Sequence, residues 1–182
     1  MITGPPESYE LIDISMAMDD FVFPGDEPVV VEGPYDVVGS DNPEWIYRFC
    51  SPTQAGTHVQ GPHYFLEDGA RIDSYPMSRF EGWAHIVDMP KRGIDTEPED
   101  LAAVLGNVDI GGDIVLFRSG HMDELITGSP LEPGTRPGLS LDGARWLIDH
   151  GVSMVGIDSV GLESRTTQNF EVNVELCKKD VL

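Results

Sequence analysis

The second half of the chain twice follows a capped amphipathic helix with a continuous apolar strand, and this alternation restricts the fold more than any other feature. Thr96 and Glu99 can form a capping box before "DLAAVLG", with Gly106 as the stop. Ser140 can cap "LDGARWLIDHG", where Leu141, Ala144, Leu147 and Ile148 share a face and Gly151 takes the C′ position. "GGDIVLFRSG" follows the first helix and "VSMVGIDSVG" the second. Neither run alternates, so both read as strands buried on both faces. Upstream, Tyr9–Met16, "VVVEG", Glu44–Cys50 and Trp83–Met89 read as further strands, and "FVFPGDEP" reads as a turn-rich loop. The order predicts an α/β fold with a mixed, partly parallel sheet and flanking helices. Ligands in such sheets gather at the carboxyl ends of the strands. The ends to watch are Arg118–His121 and Asp158–Gly161.

A chain of 182 residues, 40% of them hydrophobic, supports one domain with a sizeable core, taken here as residues 1–182. Its 32 acidic against 11 basic residues give a formal charge of -21, which repels nucleic-acid backbones and anionic membranes alike. The acids are scattered and read as a solubilising surface. Cys50 and Cys177 are far apart with no CxxC spacing, so both are expected to be reduced in a cytoplasmic protein. The N-terminus lacks the pattern of a signal peptide, and no apolar run reaches membrane-spanning length.

The stretch that carries chemistry is "QAGTHVQGPHYF", Gln54 to Phe65. Gln54, His58 and Gln60, four and two positions apart in a glycine-rich loop, can converge on one centre. With His, His and Asp at these positions the pattern would be a zinc or manganese site. Amide oxygens bring no charge, which leaves His58 as the only strong ligand. The alternative is a turn whose histidines satisfy local hydrogen bonds.

Several segments in register resemble the cyclase family of bacterial kynurenine formamidases and isatin hydrolases. "LIDISMAM…FVFPGDEPVV" is similar to its opening segment, and "GTHVQGPHYF" to its signature H-x-G-T-H-x-D-x-P-x-H. "GDIVLFRSG" and "PGLSLDGARWLIDHGVSMVGIDSVGLES" match its later segments in content and order. The resemblance implies a swivelling β/β/α-type fold and a homodimer or homotetramer. It places the family's first metal histidine on Gln54, the second on His58 and the metal aspartate on Gln60. The catalytic histidine falls on Tyr64, with a histidine one position earlier at His63, and a later histidine falls on Asn173. The last metal ligand, a glutamate, would lie past Leu182, so the chain is expected to lack that segment. Ligand positions have gone to Gln or Asn and none to a hydrophobe, a pattern that points to a reused pocket.

These residues together lead to an enzyme acting on the carbonyl of a small organic molecule, by amide or lactone hydrolysis or by ring closure. His58 and His63 are the expected acid/base groups, because imidazole titrates near neutral pH. Gln54 and Gln60 would orient the carbonyl as an oxyanion hole does, with Tyr64 as a phenolic donor. Arg118, His121 and Asp158 are further candidates for binding substrate. Each has a plainer alternative: an ion pair for Arg118, a solvated loop position for His121 and a turn cap for Asp158. His85 and His150 read as structural, while Trp45, Tyr64, Phe65 and Trp83 can serve either as an aromatic wall or as core. No cofactor is expected, the alternative being zinc or manganese held weakly at His58. A non-catalytic binding or partner subunit is the competing reading.

Overall fold

The computed structural model describes residues 10–35, 45–89, 94–132, 134, 136–163 and 169–182. Contacts divide the chain into two compact units, Met1–His58 and Val59–Leu182.

The first unit is built on an antiparallel pair, β1 (Val30–Tyr35) and β2 (Ile46–Cys50). Val30 lies opposite Cys50, Glu32 opposite Arg48 and Tyr35 opposite Ile46, with an irregularity between Glu32 and Tyr35. These are the β-branched and aromatic runs that sequence reading assigns to strands. The expected strand at Tyr9–Met16 does not form over residues 10–16; Tyr9 lies outside the described residues. Asp13 explains part of this, because its Oδ1 accepts from the Ser15 amide and hydroxyl and offers the backbone a local alternative to a ladder.

The second unit holds a parallel sheet in the order β3–β5–β7, made of Ala84–Asp88, Ile114–Arg118 and Met154–Ile157. A short parallel pair, β4 (Asp95–Thr96) and β6 (Gly138–Leu139), stands apart from it. Helices α1 (Pro98–Leu105), α2 (His121–Ile126), α3 (Leu141–Asp149) and α4 (Glu171–Lys178) complete the unit. The α/β class with a partly parallel sheet and flanking helices is therefore as expected. The core joins Val87, Val115 and Phe117 of the sheet to Leu101, Leu105, Ala144, Leu147, Val172 and Leu176 of the helices. At about 25 cal/mol per Å² of apolar surface, this cluster is the main stabilising term of the unit.

Two further expectations need correction. Helix α1 is entered from Glu97, one residue later than the Thr96 cap predicts. Pro98 at N1 disfavours the α region for the residue before it, which keeps Glu97 extended, and Asp100 Oδ2 accepts from the Glu97 amide at 2.9 Å. Thr96 belongs to β4 instead, opposite Leu139. Strand β7 is half-buried along its length where full burial is expected. Its outer edge is taken by the chain's last residue: Leu182 donates to the Ser153 carbonyl at 3.2 Å and accepts from Val155 at 2.7 Å.

Helix α3 starts and stops as its sequence predicts. The Gly143 amide donates to Ser140 Oγ at 2.9 Å, and Gly151 just past the end has φ +74°, a conformation in which glycine carries no Cβ penalty. Among the described residues no helix is long and apolar enough to cross a membrane.

Candidate functional site

In the first unit the glycine-rich loop binds Gln54 to His58. Gly56 turns with φ +61°, and a Cβ there would stand 3.1 Å from Met18 Cα, so both its conformation and its packing favour glycine. The turn aims the Gly56 carbonyl at His58 Nδ1, 2.8 Å away, while Gln54 Oε1 lies 3.0 Å from His58 Nε2. Thr57 Oγ1 accepts from the Met16 amide at 3.0 Å and ties the loop to the preceding segment. A small, half-open cleft borders Gln54 and is lined by Phe21, Val22, Phe23 and Pro52 with Asp26 and Glu27.

This geometry bears on an ion. A metal-binding imidazole donates one N–H to a fixed acceptor and points its other nitrogen's lone pair at the metal. Here Nδ1 faces the Gly56 carbonyl as such a ligand would, but Nε2 faces Gln54. If the amide is turned over, its NH2 donates to Nε2; if not, Nε2–H donates to Oε1. In either arrangement Gln54 engages Nε2, the nitrogen opposite the Gly56 carbonyl. Among the described residues no cluster of three or more His, Cys, Asp or Glu side chains is placed to hold one. Among the described residues, the donors around His58 do not fit a tightly bound transition metal.

The remaining loop candidates belong to the second unit. Gln60 is half-buried. Pro62–Tyr64 forms one turn of 3-10 helix, in which His63 is exposed and its Nδ1–H donates to the Glu67 carbonyl at 3.0 Å. Tyr64 is exposed and sets its ring edge-on to Phe65 at 4.7 Å, and Phe65 in turn lies 5.6 Å from Phe170. Trp83, by contrast, is 78% exposed.

The carboxyl ends of β5 and β7 do converge. Asp158 Oδ1 accepts from the Ser119 amide at 2.7 Å and its hydroxyl at 2.5 Å, and Oδ2 accepts from the Gly120 amide at 2.7 Å. The Met122 amide donates to the Asp158 carbonyl at 3.0 Å. His121 is not in a solvated loop: it opens α2, is 3% exposed, and its Nδ1 lies 2.7 Å from Ser159 Oγ. Arg118, one residue before this cluster, is exposed and gives both Nε and Nη2 to Asp88, at 2.6 and 2.9 Å. Those hydrogen bonds hold the Asp88 carboxyl below the usual carboxylate range. His85 pairs with Asp113 at 2.8 Å, and His150 stacks on Trp146 at 3.7 Å while donating to its carbonyl. Both are engaged in local contacts within the second unit.

Ser119 and Ser159 are the polar residues of this cluster that sequence reading did not single out. Their signal was present: each follows an apolar run in a fold whose strand ends carry function.

The chain is similar to known proteins over most of its length. The family described as "Putative cyclase" matches residues 12–164. The kynurenine formamidase of Geobacillus thermodenitrificans is 26% identical over 171 residues, covering 91% of this chain and 76% of the relative. That of Bacillus cereus is 24% identical over 180 residues, covering 94% and 79%. In fold, an isatin hydrolase bound to the product analogue thioisatinate superposes with a TM-score of 0.72 at 14% identity, over 93% of this chain and 76% of that one. A predicted metal-dependent hydrolase from Bacillus stearothermophilus gives 0.66 at 19% identity, over 93% and 78%.

Proposed function

Because the chain belongs to the cyclase family, we propose that it is a hydrolase-type enzyme of that family, acting on the carbonyl of a small organic molecule without a tightly held transition metal. The observation that carries the metal-free part is the Gln54–His58 hydrogen bond, which occupies the nitrogen an ion would need. The reaction is amide or lactone hydrolysis, or ring closure. Ring closure asks less of an activated water and more of positioning, which neutral groups such as the Gln54 amide can supply.

In this reading His58 in the first unit and His63 in the second are candidate proton carriers, Gln54 and Gln60 candidate partners of a carbonyl oxygen, and Tyr64 a candidate phenolic donor. His121 and Asp158 contribute at the strand ends. Arg118 would take a substrate carboxylate only by exchanging it for Asp88, a swap that bidentate guanidinium geometry permits.

Copies of the chain are proposed to assemble as a homodimer or homotetramer. Leu11 is 89% exposed, Ile14 79% and Trp45 70%, apolar side chains that a second copy could cover. A cytoplasmic setting is consistent with two unpaired cysteines, Cys50 and Cys177.

The test is elemental analysis of purified protein together with turnover of a formamide, a lactone and a cyclisable keto ester. Turnover with less than about a tenth of an equivalent of zinc or manganese, insensitive to chelator, is expected. Stoichiometric metal with chelator-sensitive turnover overturns the metal-free reading. No turnover of any substrate, with tight binding of one of them, favours a non-catalytic binding protein.

A further inference from the structure

We propose that Ser159 and His121 form a nucleophile–base pair, through which this chain passes an acyl group via a covalent ester on Ser159. The proposal rests on the reading that the chain acts on carbonyl substrates, and it names the group that attacks. Carbonyl chemistry needs an activated nucleophile. A loop in which Gln54 occupies His58 Nε2 offers no cation to activate a water. A serine hydroxyl within hydrogen-bond reach of an imidazole is the other common solution.

Three observations place that solution at the ends of β5 and β7. First, the distance of 2.7 Å between Ser159 Oγ and His121 Nδ1 is that of a hydroxyl handing its proton to a ring nitrogen, in the tautomer that protonates Nε2. Second, the burial is unequal in the useful sense. His121 is 3% exposed, whereas Ser159 is only partly buried, so the base lies deeper than the hydroxyl it faces. Third, the two residues are clamped. Asp158 fastens its neighbour Ser159 to the segment that carries His121, through its carboxylate on the Ser119 and Gly120 amides and its carbonyl on the Met122 amide. The Ser119 hydroxyl also accepts from the His121 amide at 3.2 Å. Pre-set geometry of this kind is what an attacking pair requires. Asp158 touches neither the imidazole nor Ser159 Oγ in these contacts, which makes it a positioning residue.

The step balances as follows. As the Ser159 Oγ–carbon bond forms, the hydroxyl proton passes to His121 Nδ1 and the carbonyl π pair moves onto its oxygen. Collapse expels the amine or alcohol, which leaves with the proton from His121. Water then attacks the ester and returns Ser159 with the free acid. In ring closure, a hydroxyl or amine of the acyl chain itself attacks in place of water.

The experiment treats the whole chain with a fluorophosphonate and maps the adduct by mass spectrometry, alongside turnover of an activated aryl ester. One adduct on Ser159 is expected, absent in Ser159→Ala and slowed at least about 100-fold in His121→Gln, with aryl ester turnover falling in parallel. Because His121 is buried and its replacement can unfold the chain, Ser159→Cys provides a second measurement. Its new thiol should outpace Cys50 and Cys177 toward iodoacetamide at neutral pH. Turnover in the parent with no adduct, or undiminished in Ser159→Ala, overturns the pair and leaves the proposed function standing. An adduct on Ser159 in a protein that turns over no ester, amide or lactone upholds the pair and overturns the proposed function. Neither adduct nor turnover overturns both.

Discussion

Gln54 and His58 are bonded to each other, amide oxygen to Nε2 at 3.0 Å, within the glycine-rich stretch "QAGTHVQGPHYF". The glutamine thus satisfies the imidazole nitrogen that would otherwise face an ion. Replacing it should reverse the preference. Gln54→His restores a second imidazole and frees His58 Nε2. Zinc affinity, measured by competition with a chromophoric chelator, is expected to rise at least about tenfold, or ~1.4 kcal/mol. His58→Ala in the same background should abolish the gain. An unchanged affinity in Gln54→His would show that the amide is not what keeps the ion away.

Glu163 holds the start of α4 from outside the helix. Its Oε1 accepts from the Val172 amide at 3.1 Å, and its Oε2 from the Asn173 amide at 3.2 Å and side-chain amide at 2.7 Å. A buried carboxylate that caps a helix start also complements the positive end of the dipole. Glu163→Gln turns one acceptor into a donor facing donors and removes the charge. The expected cost is about 1–3 kcal/mol, read as a lower urea midpoint, with earlier hydrogen exchange across residues 171–178. A midpoint within error of the parent would mean that α4 is held by Val172 and Leu176 packing alone.

That contact also shows why part of the fold escaped sequence reading. Helix α3 was legible because its cap, apolar face and stop all lie within "SLDGARWLIDHG". Strands β3, β5 and β7 were legible because each is a short apolar run with polar flanks. Helix α4 was not, because its capping group sits nine residues upstream and is brought in by tertiary folding. Helix α2 was missed for a similar reason: Gly120 at φ +69° opens it, and the fixing carboxylate comes from Asp158 on the next strand. The candidate site divides in the same way. Residue types in "QAGTHVQGPHYF" show two histidines and two glutamines without a carboxylate, and the apolar runs mark the strand ends. Which strand-end side chains meet was not legible, since the His121–Ser159 contact spans 38 residues.

The N-terminal turn of α3 should respond to two small substitutions with different causes. Ser140→Ala removes the acceptor for the Gly143 amide at a buried cap and should cost about 1 kcal/mol. Gly143→Ala adds a Cβ only 2.8 Å from both the Thr96 carbonyl oxygen and Leu139 Cδ1, so β4 and β6 must shift. Overpacking of that kind should cost about 1–3 kcal/mol, although alanine is the better helix former. Denaturation midpoints of the two variants decide the matter. A Gly143→Ala chain more stable than the parent would show that the β4–β6 pair yields freely.

Alkali should loosen the second unit at one identifiable place. Tyr75 donates its phenol hydrogen to the Asp180 carboxylate, and burial, then that hydrogen bond and the carboxylate's charge, push the phenol from 10.0 up to about 12. Burial, with a smaller push from Asp180, raises the Cys177 thiol from 9.0 to about 11. Both groups are neutral when protonated, and both bind their proton more tightly folded than unfolded. Their contribution is therefore complete below the unfolded values and is lost as pH rises through the folded ones. Stability should fall between about pH 9 and pH 12, the window set by these shifts. Urea midpoints at half-unit steps would trace it. Asp180→Asn keeps an acceptor for the phenol but removes the charge that both groups feel, so its fall should be shallower. A slope identical in the parent and in Asp180→Asn would assign the alkaline loss elsewhere. At pH 8 the same burial should leave Cys177 slower than the exposed Cys50 toward a disulfide reagent, a contrast that unfolding in urea erases.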